Sequence, residues 1–258
     1  MSEHQEPSRG IHRAASGAGR DAERPAIAFT GHRTDKRYVK GPDRWAQERF
    51  DRVLAELVAS VSETMILDVG CGEGWALDKL ARALPDRRFV GVDGADDKLR
   101  SHWGQPHSDR IRYVEGLAQQ LPFEAGEFGL ITATQVLEHL PDPHRALMEM
   151  RRVAPGGRLI ATVPFELMWR PGNILRGRNL RRGGNTPDHL QHWWTRASFR
   201  RYLGRHGTVE TTRISPPYTL AVVHLAPLPD HGRLGGEKGS PPVPGLGRGG
   251  HPSNPGAT

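Results

Sequence analysis

Three glycines at alternate positions, Gly70, Gly72 and Gly74, follow the apolar run Ile66-Leu67-Asp68-Val69, with Cys71 and Glu73 between them. Glycine takes positive φ without steric cost and leaves no Cβ between backbone and ligand. The residues from Trp75 onward read as a helix, whose first N–H groups have no partners inside it and attract anionic groups. A second apolar run, Phe89-Val90-Gly91-Val92, ends in Asp93-Gly94, the acid lying 19 residues beyond Gly74. A carboxylate offers the paired acceptors that two ribose hydroxyls need. Asp68, Gly70, Cys71, Gly72, Gly74, Asp93 and Gly94 therefore read as one nucleotide-type cofactor site. Its spacing, G-x-G-x-G, is not the G-x-G-x-x-G of dinucleotide-binding turns.

Three histidines are candidates for proton transfer, because imidazole titrates near neutral pH. His139 follows Glu138 after a later apolar run, and His189 and His192 lie in the segment 164–194. That segment also carries Trp169, Trp193 and Trp194 with Arg170, Arg176, Arg178, Arg181 and Arg182. One reading is a lid over a substrate, its tryptophans forming an apolar wall and its arginines meeting a phosphate or carboxylate. The other is a solvated basic loop with the tryptophans packed into the core. Nothing in the sequence calls for a metal.

The elements that would position these residues alternate as a doubly wound α/β fold requires. An amphipathic helix over about 43–60 places Trp45, Phe50, Val53, Leu54 and Leu57 largely on one face. Strands are expected at 65–69, 89–93, 111–115, 128–133 and 157–163, with helices at 75–83, 95–102 and 143–153 between them. A helix over 196–203 follows the lid, with Thr195 as N-cap, and strands at 208–214 and 218–225 close the pattern. Ligands in such sheets bind outside the carboxyl ends of the strands, which is where the glycine turn, His139 and the lid all fall.

The motifs together resemble the class I S-adenosylmethionine (SAM)-dependent methyltransferases, in particular the broad type-11 group. The likeness rests on Asp68 through Gly74, Asp93, the stretch Glu115-Gly116-Leu117-Ala118-Gln119-Gln120-Leu121-Pro122-Phe123, Gln135-Val136-Leu137-Glu138-His139-Leu140, and Ala154-Pro155-Gly156-Gly157. It covers roughly residues 36–225. The resemblance implies a seven-stranded, mostly parallel Rossmann-like sheet with helices on both faces, and SAM as cofactor. It places Asp68 near the methionine amino group, Leu117 and Ala118 on the adenine loop, and Gln135 near the methionine portion. Two positions depart from the family pattern: Leu117 stands where an acid usually meets adenine, and Gly129 where an aspartate usually follows Phe128.

The reaction implied is methyl transfer to a small molecule that carries an anionic group in one version, through an oxygen of a sugar, lipid-linked or secondary-metabolite acceptor. An RNA methyltransferase is the alternative that the net charge of +7 suggests, and a non-catalytic protein on the same fold is the alternative that Leu117 and Gly129 suggest. Only five of the 36 basic residues are lysines, and aromatics are not interleaved with the charge as in single-strand binders, so nucleic acid is disfavoured. Residues 1–35 and 227–258 are too polar, or too rich in Gly and Pro, to bury a core and are expected to be disordered tails flanking one domain at 36–226. With no apolar stretch of membrane-spanning length, a cytoplasmic protein is expected. Oligomeric state is left open. Cys71, the lone cysteine, is expected to be structural.

Overall fold

A computed structural model describes residues 11–12, 42–94, 96–104, 108–187, 189–193 and 195–227. Nearly all of both expected tails lies outside these residues. The described strands are β1 (Ile11–His12), β2 (Met65–Val69), β3 (Arg88–Asp93), β4 (Ile111–Glu115), β5 (Leu130–Thr134), β6 (Arg158–Pro164), β7 (Gly207–Ser215) and β8 (Tyr218–Leu225). They form one sheet in the order β1-β4-β3-β2-β5-β6-β8-β7. The first six pair in parallel, while β8 runs antiparallel to both β6 and β7. The seven expected strands are thus present, and β1 adds a two-residue edge inside the stretch expected to be a tail. It pairs with Tyr113 and Val114, meeting backbone groups that β4 would otherwise leave at the sheet edge.

Parallel strands are covered on both sides and so are apolar throughout; Leu130, Ile131 and Ala133 of β5, for example, are all buried. Helices α1 (Pro42–Ala59), α2 (Trp75–Ala83) and α3 (Asp97–Trp103) supply Phe50, Leu54, Leu77, Leu80 and Leu99 to the core on one face. On the other face α4 (Pro143–Val153) and α6 (Arg196–Leu203) contribute Leu147, Met150, Phe199 and Leu203. Thr195 caps α6 through a capping box with Ser198, as its position predicts.

Four details differ from the sequence expectations. Trp45 is 62% exposed rather than on the buried face of α1, with the Arg49 guanidinium over its ring. Strand β5 starts at Leu130, because Phe128 instead hydrogen bonds to Val153. Within the segment read as a loop, α5 (Glu166–Leu175) forms directly after β6. Gly129 lies at the end of β5 opposite the glycine turn, where a Cβ would overlap the Glu63 carboxylate. That side chain is exposed and can move aside, and nothing else in the packing explains the glycine. Among the described residues no helix is long and apolar enough to cross a membrane.

Candidate functional site

The sheet order reverses direction at the β2/β5 boundary, since the chain continues from β2 to β3 on one side and reaches β5 on the other. Crevices open at such a switch point. The turn after β2 and the turn after β5 flank it. The first hangs from the end of β3 by Gly70 and Cys71 N–H bonds to the Val92 carbonyl, at 2.7 and 3.2 Å. Gly72 N–H donates to Asp93 Oδ2 at 2.7 Å, fixing the plane of that carboxylate. The Trp103 indole donates to the Gly72 carbonyl at 2.9 Å and its ring stacks on Tyr113.

The three glycines have positive φ for two different reasons. A Cβ on Gly70 would overlap Val136, and one on Gly74 would overlap the Tyr113 hydroxyl. At Gly72, with φ of +54°, a Cβ would meet nothing within 4 Å. Gly72 alone of the three presents its backbone to open space. The sequence reading had all three clear room for a ligand; at Gly70 and Gly74 the missing side chains make room for protein. Gly74 also caps α2 without any side chain, leaving the amides of the first turn toward the same side.

Asp68 is only 1% exposed and accepts a hydrogen bond from the Thr132 hydroxyl at 2.6 Å, so it braces β2 against β5 and has little surface to offer a ligand. Cys71 is buried against Gly91 with its thiol 3.7 Å from the Gly72 carbonyl, a packing position. The loop after β4 is tied beside the acid by Gly116 N–H to the Asp93 carbonyl at 3.0 Å. On that loop Leu117 is 40% exposed and Ala118 packs on the core. Gly94 follows Asp93 at the same edge.

Sequence reasoning passed over Glu73. It is buried and accepts from the Trp75 indole at 2.8 Å, with the Lys98 ammonium 3.1 Å away. Burial alone would push this carboxyl up, but Trp75, Lys98 and His102 outweigh it and hold the group below its ordinary range. Its signal in the sequence was only an acid inside a glycine turn.

On the other flank, Gln135 follows β5 directly with φ of +57°, a conformation few non-glycine residues adopt. Its N–H and its side-chain amide both reach the Thr162 hydroxyl at 3.2 Å, which stabilises the strained residue. The short helix Leu137–His139 follows, and the Glu138 carbonyl accepts from the N–H groups of Leu190 and Gln191 at 2.7 and 3.0 Å. The 189–192 segment is thereby hung on the turn after β5. His139, His189 and His192 come together, with the rings of His139 and His189 5.1 Å apart and those of His189 and His192 6.5 Å apart.

Glu166, the first residue of α5, is the centre of this cluster and was not singled out from sequence. It is 1% exposed, with Arg170 Nε 3.1 Å from Oε2 and the Nδ1 atoms of His192 and His189 at 3.3 and 3.6 Å from Oε1. Burial pushes its carboxyl up, yet the two imidazoles and the guanidinium prevail and keep it low, hence ionised. Trp169 lies beside His189 and Tyr218 and donates to the Thr186 hydroxyl at 3.0 Å. Trp193, in contrast, is buried against Phe199 and Tyr202. Of the two readings of the tryptophans, Trp193 follows the core-packed one and Trp169 lies beside the histidines; Trp194 lies outside the described residues. Arg176, Arg178, Arg181 and Arg182 are exposed.

Comparison with known proteins bears on the same region. Residues 67–161 match the family described as a methyltransferase domain. An uncharacterised 37.1 kDa protein in transposon TN4556 of Streptomyces fradiae is 37% identical over 46% of this chain and 35% of its own length. A ubiquinone biosynthesis O-methyltransferase of Bordetella avium is 34% identical over 40% of this chain and 44% of its own. The chain thus spans under half the length of these curated relatives. Among solved structures, a protein of Pyrococcus horikoshii OT3 superposes with a TM-score of 0.55 at 19% identity, over 72% of this chain and 92% of that one, which establishes the shared fold.

Proposed function

We propose that this chain, which carries a class I SAM-dependent methyltransferase domain, transfers a methyl group from SAM to an oxygen of a small acceptor held beneath residues 166–193. The observation that carries the reading is the open backbone at Gly72 joined to the oriented carboxylate of Asp93. A ribose fits that pair, because the carboxylate is already aimed by an N–H on the face a ligand would approach. When bound, SAM supplies a methyl on a sulfonium, so the leaving group needs no protonation.

Asp93 would hold the ribose and the first turn of α2 would receive the methionine carboxylate. The exposed Leu117 gives the adenine loop an apolar contact where an acid is absent. Alignment supplies most of the remaining catalysis, worth up to about 7–11 kcal/mol for well-oriented reactants. A neighbouring imidazole would accept the acceptor's hydroxyl proton. His139, at the turn after β5 and beside the switch point, is assigned that role. His189 and His192 face Glu166 and are assigned to the architecture of the lid. Trp169 supplies an apolar side to the acceptor, and the exposed arginines on 176–182 suit an acceptor with a phosphate or carboxylate. The ubiquinone biosynthesis relative acts on oxygen by its name, which favours that atom.

The test is transfer of labelled methyl from SAM to a panel of phenols and hydroxy acids, with and without anionic substituents, and to bulk RNA. Label in a small hydroxylated compound, lost in His139→Ala with SAM affinity retained, supports the reading. Label in RNA alone would replace the acceptor class.

A further inference from the structure

Two buried polar atoms in the lid lack hydrogen-bond partners: His189 Nδ1 and Asn185 Oδ1. His189 is 7% exposed, and its Nδ1 points at Glu166 Oε1 from 3.6 Å, beyond hydrogen-bonding range. His192 Nδ1 points at the same oxygen from 3.3 Å. The three donor atoms lie within 4.8 Å of one another. A tetrahedral zinc with bonds of about 2.0–2.1 Å sets its donors roughly 3.3–3.4 Å apart. The two separations from Glu166 Oε1, 3.3 Å to His192 and 3.6 Å to His189, lie at and just above that value.

We propose that Glu166, His189 and His192 form a site for a divalent cation of the zinc class, with two imidazole nitrogens and one carboxylate oxygen as ligands.

The surroundings match what such ligands require. A histidine bound through Nδ1 carries its proton on Nε2 and donates it to an outer partner, which fixes the ring. His192 Nε2 lies 3.4 Å from the Asn185 amide. Turning that amide by 180° places the partnerless Oδ1 toward Nε2–H, and oxygen and nitrogen of an amide are interchangeable in shape. One cation would therefore satisfy both orphaned atoms. Arg170 holds the other oxygen of Glu166 and leaves Oε1 to the metal. Three ligands leave a fourth position open, as in catalytic rather than closed structural zinc sites.

The cation would clasp the 185–193 segment to the start of α5, beside His139 at the acceptor side of the cleft. No contiguous ligand run marks it, since Glu166 precedes His192 by 26 residues. The inference stands on donor geometry and does not depend on methyl transfer.

The test uses the full chain stripped with chelator, then titrated with Zn²⁺ by calorimetry and with Co²⁺ by visible absorption. One equivalent of Zn²⁺ should bind and raise the thermal midpoint, and Co²⁺ should give the intense bands of a four-coordinate ion. His189→Gln and His192→Gln should each weaken binding by at least about 100-fold, and Asn185→Ala by roughly 10-fold, the usual scale of an outer partner. His144→Gln, at the His144–His206 pair, should leave it unchanged. Circular dichroism and SAM titration of each variant report the fold and the cofactor site separately. Absence of stoichiometric binding to the wild-type chain would overturn the proposal, as would equal affinity in folded His189→Gln and His192→Gln.

Discussion

The two flanks of the cleft are built by different means. Around the glycine turn the groups are backbone amides and carbonyls: Gly70, Cys71 and Gly72 all bond to the end of β3, and the signs of three φ angles set the shape. Around Glu166 the groups are side chains drawn from α5, the 189–192 segment and the turn after β5, meeting around one buried carboxylate. The first flank is rigid because backbone hydrogen bonds fix the turn to the end of β3. The second is tunable, since exchanging a side chain changes its chemistry without changing the chain path. A cofactor shared by many enzymes suits the first construction, and an acceptor that differs among them suits the second.

If the flanks are separate constructions, substitutions in one should spare the other, because distant sites with no shared partners act additively. The largest effect is expected at Gly74. Gly74→Ala combines positive φ with overlap of the buried Tyr113 hydroxyl and should cost about 2–4 kcal/mol in chemical denaturation. A loss below about 1 kcal/mol would show the turn to be pliable, breaking the contrast.

Asp93→Ala comes next. Loss of charge-assisted hydrogen bonds, about 1.5–3 kcal/mol, should weaken SAM roughly 10- to 100-fold. Metal uptake by the lid should stay unchanged, and a joint loss would merge the two flanks.

The pH profile sharpens the comparison once a bystander is removed. His206, 1% exposed, is pushed down to about 4 by burial and by the charges of His144, Arg151 and Arg205. Its folded value lies below its unfolded one, so the unfolded chain binds more protons between them. Stability is full above about pH 6.5 and falls as pH drops toward 4, by roughly 2 kcal/mol on reaching pH 5. Replacing His206 with Gln should flatten that part of the profile in denaturant melts. The smallest effect is expected for Gly129→Ala, which disturbs only the exposed Glu63 side chain; stability should change by no more than about 0.5 kcal/mol, with SAM affinity unaltered.

The contrast also explains what could be read from the sequence. Sheet order, the glycine turn and Asp93 were legible because apolar runs and glycine spacing are local signals of backbone geometry. The roles of the glycines were not: only the fold shows that Gly74 faces Tyr113 and Gly72 faces open space. Asp68, expected near the methionine amino group, also accepts from Thr132 across β2 and β5, a pairing that the sequence does not reveal. Glu166 was invisible, an ordinary acid until His189 and His192 fold over it. Trp193 and Trp169 were indistinguishable by type, and burial separates them. Leu175 and Leu180, exposed in the lid, had no apolar period to place them.

The measurement closest to the central claim is calorimetric titration of SAM into the wild-type chain and Gly72→Asn. Asparagine tolerates the left-handed backbone conformation, so the fold should persist by thermal melting while the new side chain fills the open face at Gly72. One equivalent of SAM should bind to the wild type and none to the folded variant. Equal affinity in both would place the cofactor somewhere other than the glycine turn.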